Sequence, residues 1–284
     1  MSTTILAATS GGTASGGTVE IACRLARRFD AHVEGFHVLS DPRQFIVAAG
    51  FDLPVAGDLL DQMVEDSRQL AARAKAEFEQ AATRNHLPVG GAPKANAPSA
   101  GWRQETAYAA TALADRARFF DLVVLGRSER VVDQPYTNAV EQTLMHSGRP
   151  VLLAPAKPPA SIGETIAVGW DGSVSAVHAL AGALTLLSCA RRVVAITIGK
   201  ANGAASGDAV VEYLSWHGIS AIHRQVLPVA GVGTGELLLA SAHEEDADLL
   251  VMGGYGHAPW REAFFGGATR QIVGSSLLPV LLAH

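Results

Sequence analysis

The sequence predicts two tandem α/β domains, each a doubly wound open sheet of five parallel strands. Three observations predict this. Short apolar runs alternate with stretches of helical periodicity, which is how parallel strands joined by crossover helices read. The same order of elements restarts after residues 154–161, where Pro155, Pro158 and Pro159 mark a linker. Three pairs of segments also match, in the same order in both halves: 4–8 with 165–169, 121–126 with 248–253, and 149–154 with 278–283. The expected domain bounds are 1–157 and 158–284.

In the first half, residues 4–8 read as a strand and 18–29 as a helix. Val19, Ala22, Cys23, Leu25 and Ala26 give that helix its apolar face. Residues 31–39 read as the second strand. Residues 40–57 are irregular, with Pro42, Gly50, Pro54 and Gly57, and lead into a long helix over 58–85. Leu59, Leu60, Met63, Leu70, Ala71, Ala74, Phe78 and Ala81 recur there at near-helical spacing. A loop rich in Gly, Pro and Ala follows to about 97. Residues 99–104 are a strand, 105–118 a helix, 121–126 a fully apolar strand, 138–145 a helix and 149–153 a strand.

In the second half, residues 164–170 are a strand and Asp171-Gly172-Ser173 a turn and helix cap. Helices are expected over 174–187, 207–217 and 234–245, and strands over 192–198 and 219–227. A strand ending at Met252 breaks into Gly253-Gly254-Tyr255-Gly256. Gly266-Gly267-Ala268-Thr269 opens a last helical pattern, and 279–283 is the final strand.

Composition narrows the function classes. Of 284 residues, 48% are hydrophobic and 17% charged, which suits a globular protein with an ample core. The net charge of −5 and the lack of any Lys/Arg cluster exclude an electrostatic footprint for nucleic acid. The N-terminus lacks a basic region before its short apolar run, so it does not read as a signal peptide. No apolar run approaches the roughly 20 residues of a transmembrane helix. The expectation is a cytoplasmic protein with no membrane partner. Cys23 and Cys189 fit a reducing compartment and are expected to be small buried hydrophobes.

In open parallel sheets, ligands sit beyond the carboxyl ends of the strands. Two distinctive loops of the second half lie there. Asp171 suits hydrogen bonds from a nucleoside, or else caps the following helix. The glycines at 253, 254, 256, 266 and 267 let backbone approach a ligand, and a helix N-terminus suits a phosphate. Alternatively they only permit a tight turn and a helix start.

Other chemistries find less support. Gly12 and Gly17-Thr18 have P-loop-like spacing, but no Lys precedes the Thr. Gly231-Val232-Gly233-Thr234-Gly235 lacks dinucleotide spacing and reads as a loop. No GxSxG elbow occurs. His243-Glu244-Glu245-Asp246 has no second His at helical spacing and reads as a solvated helix end. His32 and His37 alternate to opposite faces of one strand. His257 lies in the glycine loop, placed for a phosphate or only for a structural role.

The pattern Gly253-x2-Gly256-x9-Gly266, between a strand ending in Met252 and Pro279-Val280-Leu281-Leu282, resembles the universal stress protein family. So does Ile166-Ala167-Val168-Gly169-Trp170-Asp171-Gly172-Ser173. The resemblance covers both halves, since members occur as tandem two-domain chains. It implies Rossmann-like domains of the adenine nucleotide alpha hydrolase type.

The ATP-binding members imply a site for this sequence. Asp171 and Ile198 would line the adenine or ribose site, and Met252 would lie at the base of the pocket. Gly253, Gly256, Gly266, Gly267 and Ala268 would wrap the phosphates. Gly267 stands where those members carry Ser or Thr. Its backbone N–H remains, and Thr269 lies two residues further on to supply a hydroxyl. The implied cofactor is ATP, accompanied by Mg2+ or Mn2+.

The first half departs further from the pattern. Ser10 takes the Asp position, Arg127-Ser128-Glu129-Arg130 follows Gly126, and Thr137-Asn138-Ala139 replace the second glycine pair. It reads as degenerate for nucleotide. With no general base aimed at a phosphate, the expectation is a stress-response or regulatory module, with slow ATP hydrolysis at most. The alternative is a scaffold or small-ligand-binding stress protein that acts through protein partners. Family domains pair through their last strands. Residues 150–153 and 279–282 are therefore expected to pair within one chain as a pseudo-dimer, and a homodimer of chains is a further expectation.

Overall fold

The computed structural model describes residues 3–12, 15–39, 57–90, 93, 96–127, 134–199, 203, 206–254, 272 and 276–284, with the side chains of 134–138 excepted. The chain divides into two compact units. One comprises Met1–Ser147 with Ala156–Pro158, and the other Gly148–Pro155 with Pro159–His284.

The first unit runs β1 (Thr4–Thr9), α1 (Ser15–Arg28), β2 (His32–Leu39), α2 (Gly57–Arg84), β3 (Ser99–Thr106), α3 (Ala109–Ala117), β4 (Leu122–Gly126) and α4 (Gln134–His146). Its strands lie in the order β3-β2-β1-β4, and every pair is parallel. The central strands bury both faces. Ile5, Leu6, Ala7, Val123, Val124 and Leu125 are all wholly inaccessible. That double burial is why these strands read as continuous apolar runs rather than alternating ones.

The second unit contains β5 (Val151–Ala154), β6 (Thr165–Gly169), α5 (Val174–Gly182), α6 (Leu184–Ser188), β7 (Arg192–Ile198), α7 (Gly207–Trp216), β8 (Ala221–Val226), α8 (Thr234–Glu244), β9 (Leu249–Gly253) and β10 (Val280–Ala283). Its order is β5-β10-β9-β6-β7-β8. The five strands β6 to β10 are mutually parallel. β5 joins antiparallel to β10, with Val280 opposite Leu153 and Leu282 opposite Val151. This is the pairing expected of residues 150–153 and 279–282.

Four helices, α1, α2, α7 and α8, end by one device. Asp30, His86 and Asp246 take φ of 48°, 55° and 52°, and Gly218 takes 73°. The next residue's N–H then reaches back to Ala26, Ala82, Ala242 or Leu214 at 2.9–3.0 Å. This left-handed cap satisfies the last carbonyls, and after α1, α7 and α8 it turns the chain directly into β2, β8 and β9.

Three sequence expectations shift. Residues 105–106 extend β3 rather than opening a helix, because Glu105 and Thr106 continue the ladder opposite Val38 and Leu39. The helix expected over 174–187 divides at Ala183, whose N–H is shared between Ala179 and Leu180 carbonyls. Gly182 faces Pro150 there, and a Cβ on it would stand 3.0 Å from the Pro150 ring. Cys23 is buried, and that burial pushes its thiol up to about 12. Cys189, however, is exposed, since it caps the C-terminus of α6 where the chain turns outward before β7.

Edge strand β8 is half exposed along its length. Arg224 on it pairs with Glu244 and Glu245, and Glu245 also pairs with Arg192 on β7. Charges tied down along an edge strand discourage pairing with another chain.

Candidate functional site

The site begins with a topological feature. In the second unit β6 has β7 on one side and β9 on the other, so connections leaving β6 and β9 diverge at their carboxyl ends. That divergence opens the crevice where doubly wound sheets bind ligands. The ladders place Met252, Gly169 and Ile196 in one row across the three strands. Gly253 lies one residue beyond that row, and Asp171 and Ile198 lie two beyond it. The four described candidate residues, Asp171, Ile198, Met252 and Gly253, therefore share one sheet edge. Neighbouring strands are about 4.8 Å apart, so β9 to β7 spans roughly 10 Å, the width of a nucleoside.

Asp171 is exposed, and its Oδ1 accepts the Ser173 N–H at 2.9 Å. Gly172 between them has φ of 74°, a conformation that suits glycine. The N-cap of α5 is Ser173, whose Oγ accepts from Ala176 N–H at 3.2 Å. Asp171 thus braces the turn, and the capping role falls to Ser173. Ile198 is half-buried, and Met252 is buried at 7% exposure.

Gly253 has a specific packing reason. A Cβ there would lie 2.6 Å from the Ala176 nitrogen and from Ser175 Oγ, and 2.8 Å from the Ser175 carbonyl carbon. The first turn of α5 therefore rests directly on the end of β9. Gly254 continues the ladder, its N–H donating to the Ala283 carbonyl at 2.8 Å. His178 Nδ1 lies 2.8 Å from the His284 carbonyl, so that nitrogen carries the proton. Gly256, Gly266, Gly267, Ala268, Thr269 and His257 lie outside the described residues.

Beside Ile198 the structure shows a chain of polar contacts that the sequence did not signal. Thr197 Oγ1 is 2.9 Å from His223 Nε2, and His223 Nδ1 is 3.2 Å from Asp208 Oδ1. In the neutral ring Nδ1–H donates to the carboxylate, and the Thr197 hydroxyl donates to Nε2. Hydroxyl, imidazole and carboxylate come from β7, β8 and α7. Thr197 is only 1% exposed, which shuts its hydroxyl off from any substrate. The chain instead ties the end of β7 to the start of α7. Gly207 makes room for the ring, since a Cβ on it would stand 2.0 Å from His223 Cδ2. Asp, His and Thr are scattered over 27 residues of sequence, so no local pattern marked them.

The corresponding edge of the first unit is filled by its own chain. Ser15 Oγ accepts the N–H groups of Ser10 and Gly11, both at 2.9 Å, and lies 3.0 Å from Ser10 Oγ. Donors that would suit an anion are therefore already satisfied. Gly11, with φ of 70°, lies against α2, and a Cβ on it would be 2.3 Å from the Leu70 carbonyl oxygen. Arg127, which follows Gly126, is 8% exposed. Ser128, Glu129 and Arg130 lie outside the described residues.

His37 at the end of β2 is 4% exposed, stacks on Trp102 at 6.3 Å, and its Nδ1 donates to the Thr9 carbonyl at 2.8 Å. Burial holds its imidazole below the ordinary value, with the bond to Thr9 opposing. A histidine depressed in the folded state binds its proton first in the unfolded chain. Its contribution is therefore present above the ordinary pKa of about 6.5 and is lost as pH falls toward the folded value. Denaturant midpoints should drop between pH 7.5 and 5.5, and the drop should shrink in His37→Gln. An unchanged slope in that variant would place the effect elsewhere, for example at His32, which burial also lowers.

Among the described residues no group of three or more His, Cys, Asp or Glu side chains could hold a metal ion. His243 Nδ1 donates to the Leu239 carbonyl at 2.7 Å, which accounts for that residue at its helix end. No described helix is long and apolar enough to cross a membrane.

No family model matches the sequence, and no curated protein matches it either. Solved structures do match the fold. A universal stress protein of Archaeoglobus fulgidus DSM 4304 aligns with a TM-score of 0.69 at 15% identity, covering 99% of this chain and 95% of that one. A protein of Pseudomonas aeruginosa UCBPP-PA14 assigned to the universal stress proteins aligns at 0.57 and 14% identity, covering 99% and 92%. A P. aeruginosa PAO1 protein described as functionally unknown aligns at 0.55 and 13% identity, with the same coverage. At these identities it is the fold that is shared, and it is shared along the whole chain. The protein carries, along the whole of this chain, the fold of these universal stress proteins.

Proposed function

We propose that this chain is a cytoplasmic stress-response or regulatory protein whose second domain, residues 158–284, binds ATP or a related adenine nucleotide. The carrying observation is the row Met252–Gly169–Ile196, which sets the Asp171 turn, Ile198 and Gly253 side by side at the switch point of one sheet. The exposed Asp171 carboxylate suits ribose hydroxyl donors, and the half-buried Ile198 suits an adenine face. Gly253 permits the close approach of the α5 N-terminal turn to the strand from which the glycine loop departs. Gly256, Gly266, Gly267, Ala268 and Thr269 supply, by sequence, backbone and hydroxyl donors for phosphates. A divalent ion such as Mg2+ or Mn2+ would reach this site with the phosphates. The first unit, whose corresponding amides already bond to Ser15, is not assigned a nucleotide.

Two readouts test this reading. Protein purified without added nucleotide should release an adenine nucleotide on denaturation. ATP at a hundredfold excess over its Kd should stabilise by about 2.7 kcal/mol, seen as a rise in melting temperature. Asp171→Ala should shrink that rise, and Gly256→Trp should abolish it. No retained nucleotide, together with no shift at millimolar ATP, would overturn the proposal and favour a scaffold acting through protein partners.

A further inference from the structure

Helix α2 is 28 residues long, yet the residues it buries, Ala71, Ala74, Phe78, Ala81 and Ala82, all lie in its second half. The Leu70 carbonyl is level with Gly11, just past the carboxyl end of β1. At 1.5 Å per residue, residues 57–69 extend the helix about 20 Å further, and none of them is fully buried: Leu60, Val64 and Ser67 are half-buried and the others exposed. A helix of that length is marginal in water by itself.

One side of this helix carries a continuous seam: Leu59, Met63, Asp66, Leu70, Arg73 and Glu77. The steps are four, three, four, three and four, the spacing by which two helices meet along their length. Leu59, Met63 and Leu70 are 52%, 46% and 39% exposed, although they are its apolar members. Asp66 and Arg73 are also exposed, and they flank Leu70 nearly symmetrically with opposite charge.

That symmetry identifies the occupant. We infer that α2 pairs with α2 of a second copy of this chain, antiparallel across a two-fold axis near Leu70. A two-fold interface is isologous, so each contact occurs twice. Asp66 of each chain then meets Arg73 of the other, and the two Leu70 side chains meet at the centre. A parallel pairing would set Asp66 against Asp66 and Arg73 against Arg73, which like charges oppose. The charge order along the helix thus selects the antiparallel arrangement.

Sedimentation velocity on the full chain at micromolar concentration tests this. The mass should be twice the 29.6 kDa of one chain. Met63→Asp with Leu70→Asp should halve it, with circular dichroism unchanged, because both side chains are substantially exposed. Asp66→Arg alone should also halve it, and adding Arg73→Asp should restore the doubled mass. Leu277→Asp, at an exposed position on the second unit, should leave the mass unchanged. A single-chain mass for the unaltered protein at 100 µM, or a doubled mass that survives the α2 variants, would overturn the inference. A single-chain mass combined with slow alkylation of Met63→Cys would show instead that the seam is covered by the chain itself.

Discussion

Gly253→Ala should lower the stability of the second unit by about 1–3 kcal/mol and weaken nucleotide binding with it. A side chain forced into a packed site carries that cost. Here the neighbours are backbone: the Ala176 nitrogen at 2.6 Å and the Ser175 carbonyl carbon at 2.8 Å. Neither moves without shifting the first turn of α5 off β9, and that turn adjoins the Asp171–Ser173 loop. Gly169→Ala is the matched control. Its Cβ meets Leu238 Cδ2 at 2.7 Å, a comparable distance, but the neighbour is the tip of a side chain that can change rotamer. The alanine at 253 should therefore cost more than the alanine at 169, by several degrees of melting temperature for a unit of this size. Equal costs would mean that the contact with α5 does not constrain the end of β9.

Phe78→Ala should cost the first unit about 3–5 kcal/mol, the range for emptying a phenylalanine site in a packed core. Phe78 is wholly buried and joins α2 to the sheet. Its ring lies 5.7 Å from Trp102 on β3, at 45°. Gly35 on β2 exists in that form because of it, since a Cβ at 35 would stand 2.7 Å from Phe78 Cδ2 and 2.9 Å from Trp102. Small residues on both sides, Gly35 and Ala74, leave nothing to fill the cavity. Urea unfolding followed by Trp102 fluorescence, in a chain with its other tryptophans replaced, would read this directly. A loss below about 1 kcal/mol would mean that α2 is held mainly elsewhere, for instance by Arg84 and Asn85 on Glu20.

The parts of the fold that could be read from sequence were those in which burial writes itself into composition. β4, β5, β9 and β10 are buried on both faces, so their apolar runs named them, and the matching order of the two halves exposed the repeat. Edges were harder to read. Thr106 is held in β3 by its ladder partner Leu39, a tertiary contact invisible to local periodicity. An apolar helix is interrupted at Ala183, next to Gly182, which lies against a proline more than 30 residues away. In the site, Asp171 and Gly253 were legible because turn chemistry and glycine requirements are local. That Gly253 answers to Ala176, and that Thr197, His223 and Asp208 join beside Ile198, depends on chain segments brought together only by folding. Helix α2 was legible as a helix, whereas its exposed seam became meaningful only once Ala71 marked where full burial begins.

Equilibrium dialysis with labelled ATP is the most direct measurement of the second domain's role. It should show saturable binding of one nucleotide per chain. That binding should be weakened in Asp171→Ala, lost in Gly256→Trp, and retained when Ser10 of the first unit is changed to alanine. No saturable binding to the unaltered protein, or binding that survives Gly256→Trp, would contradict the assignment of the nucleotide to the glycine loop after β9.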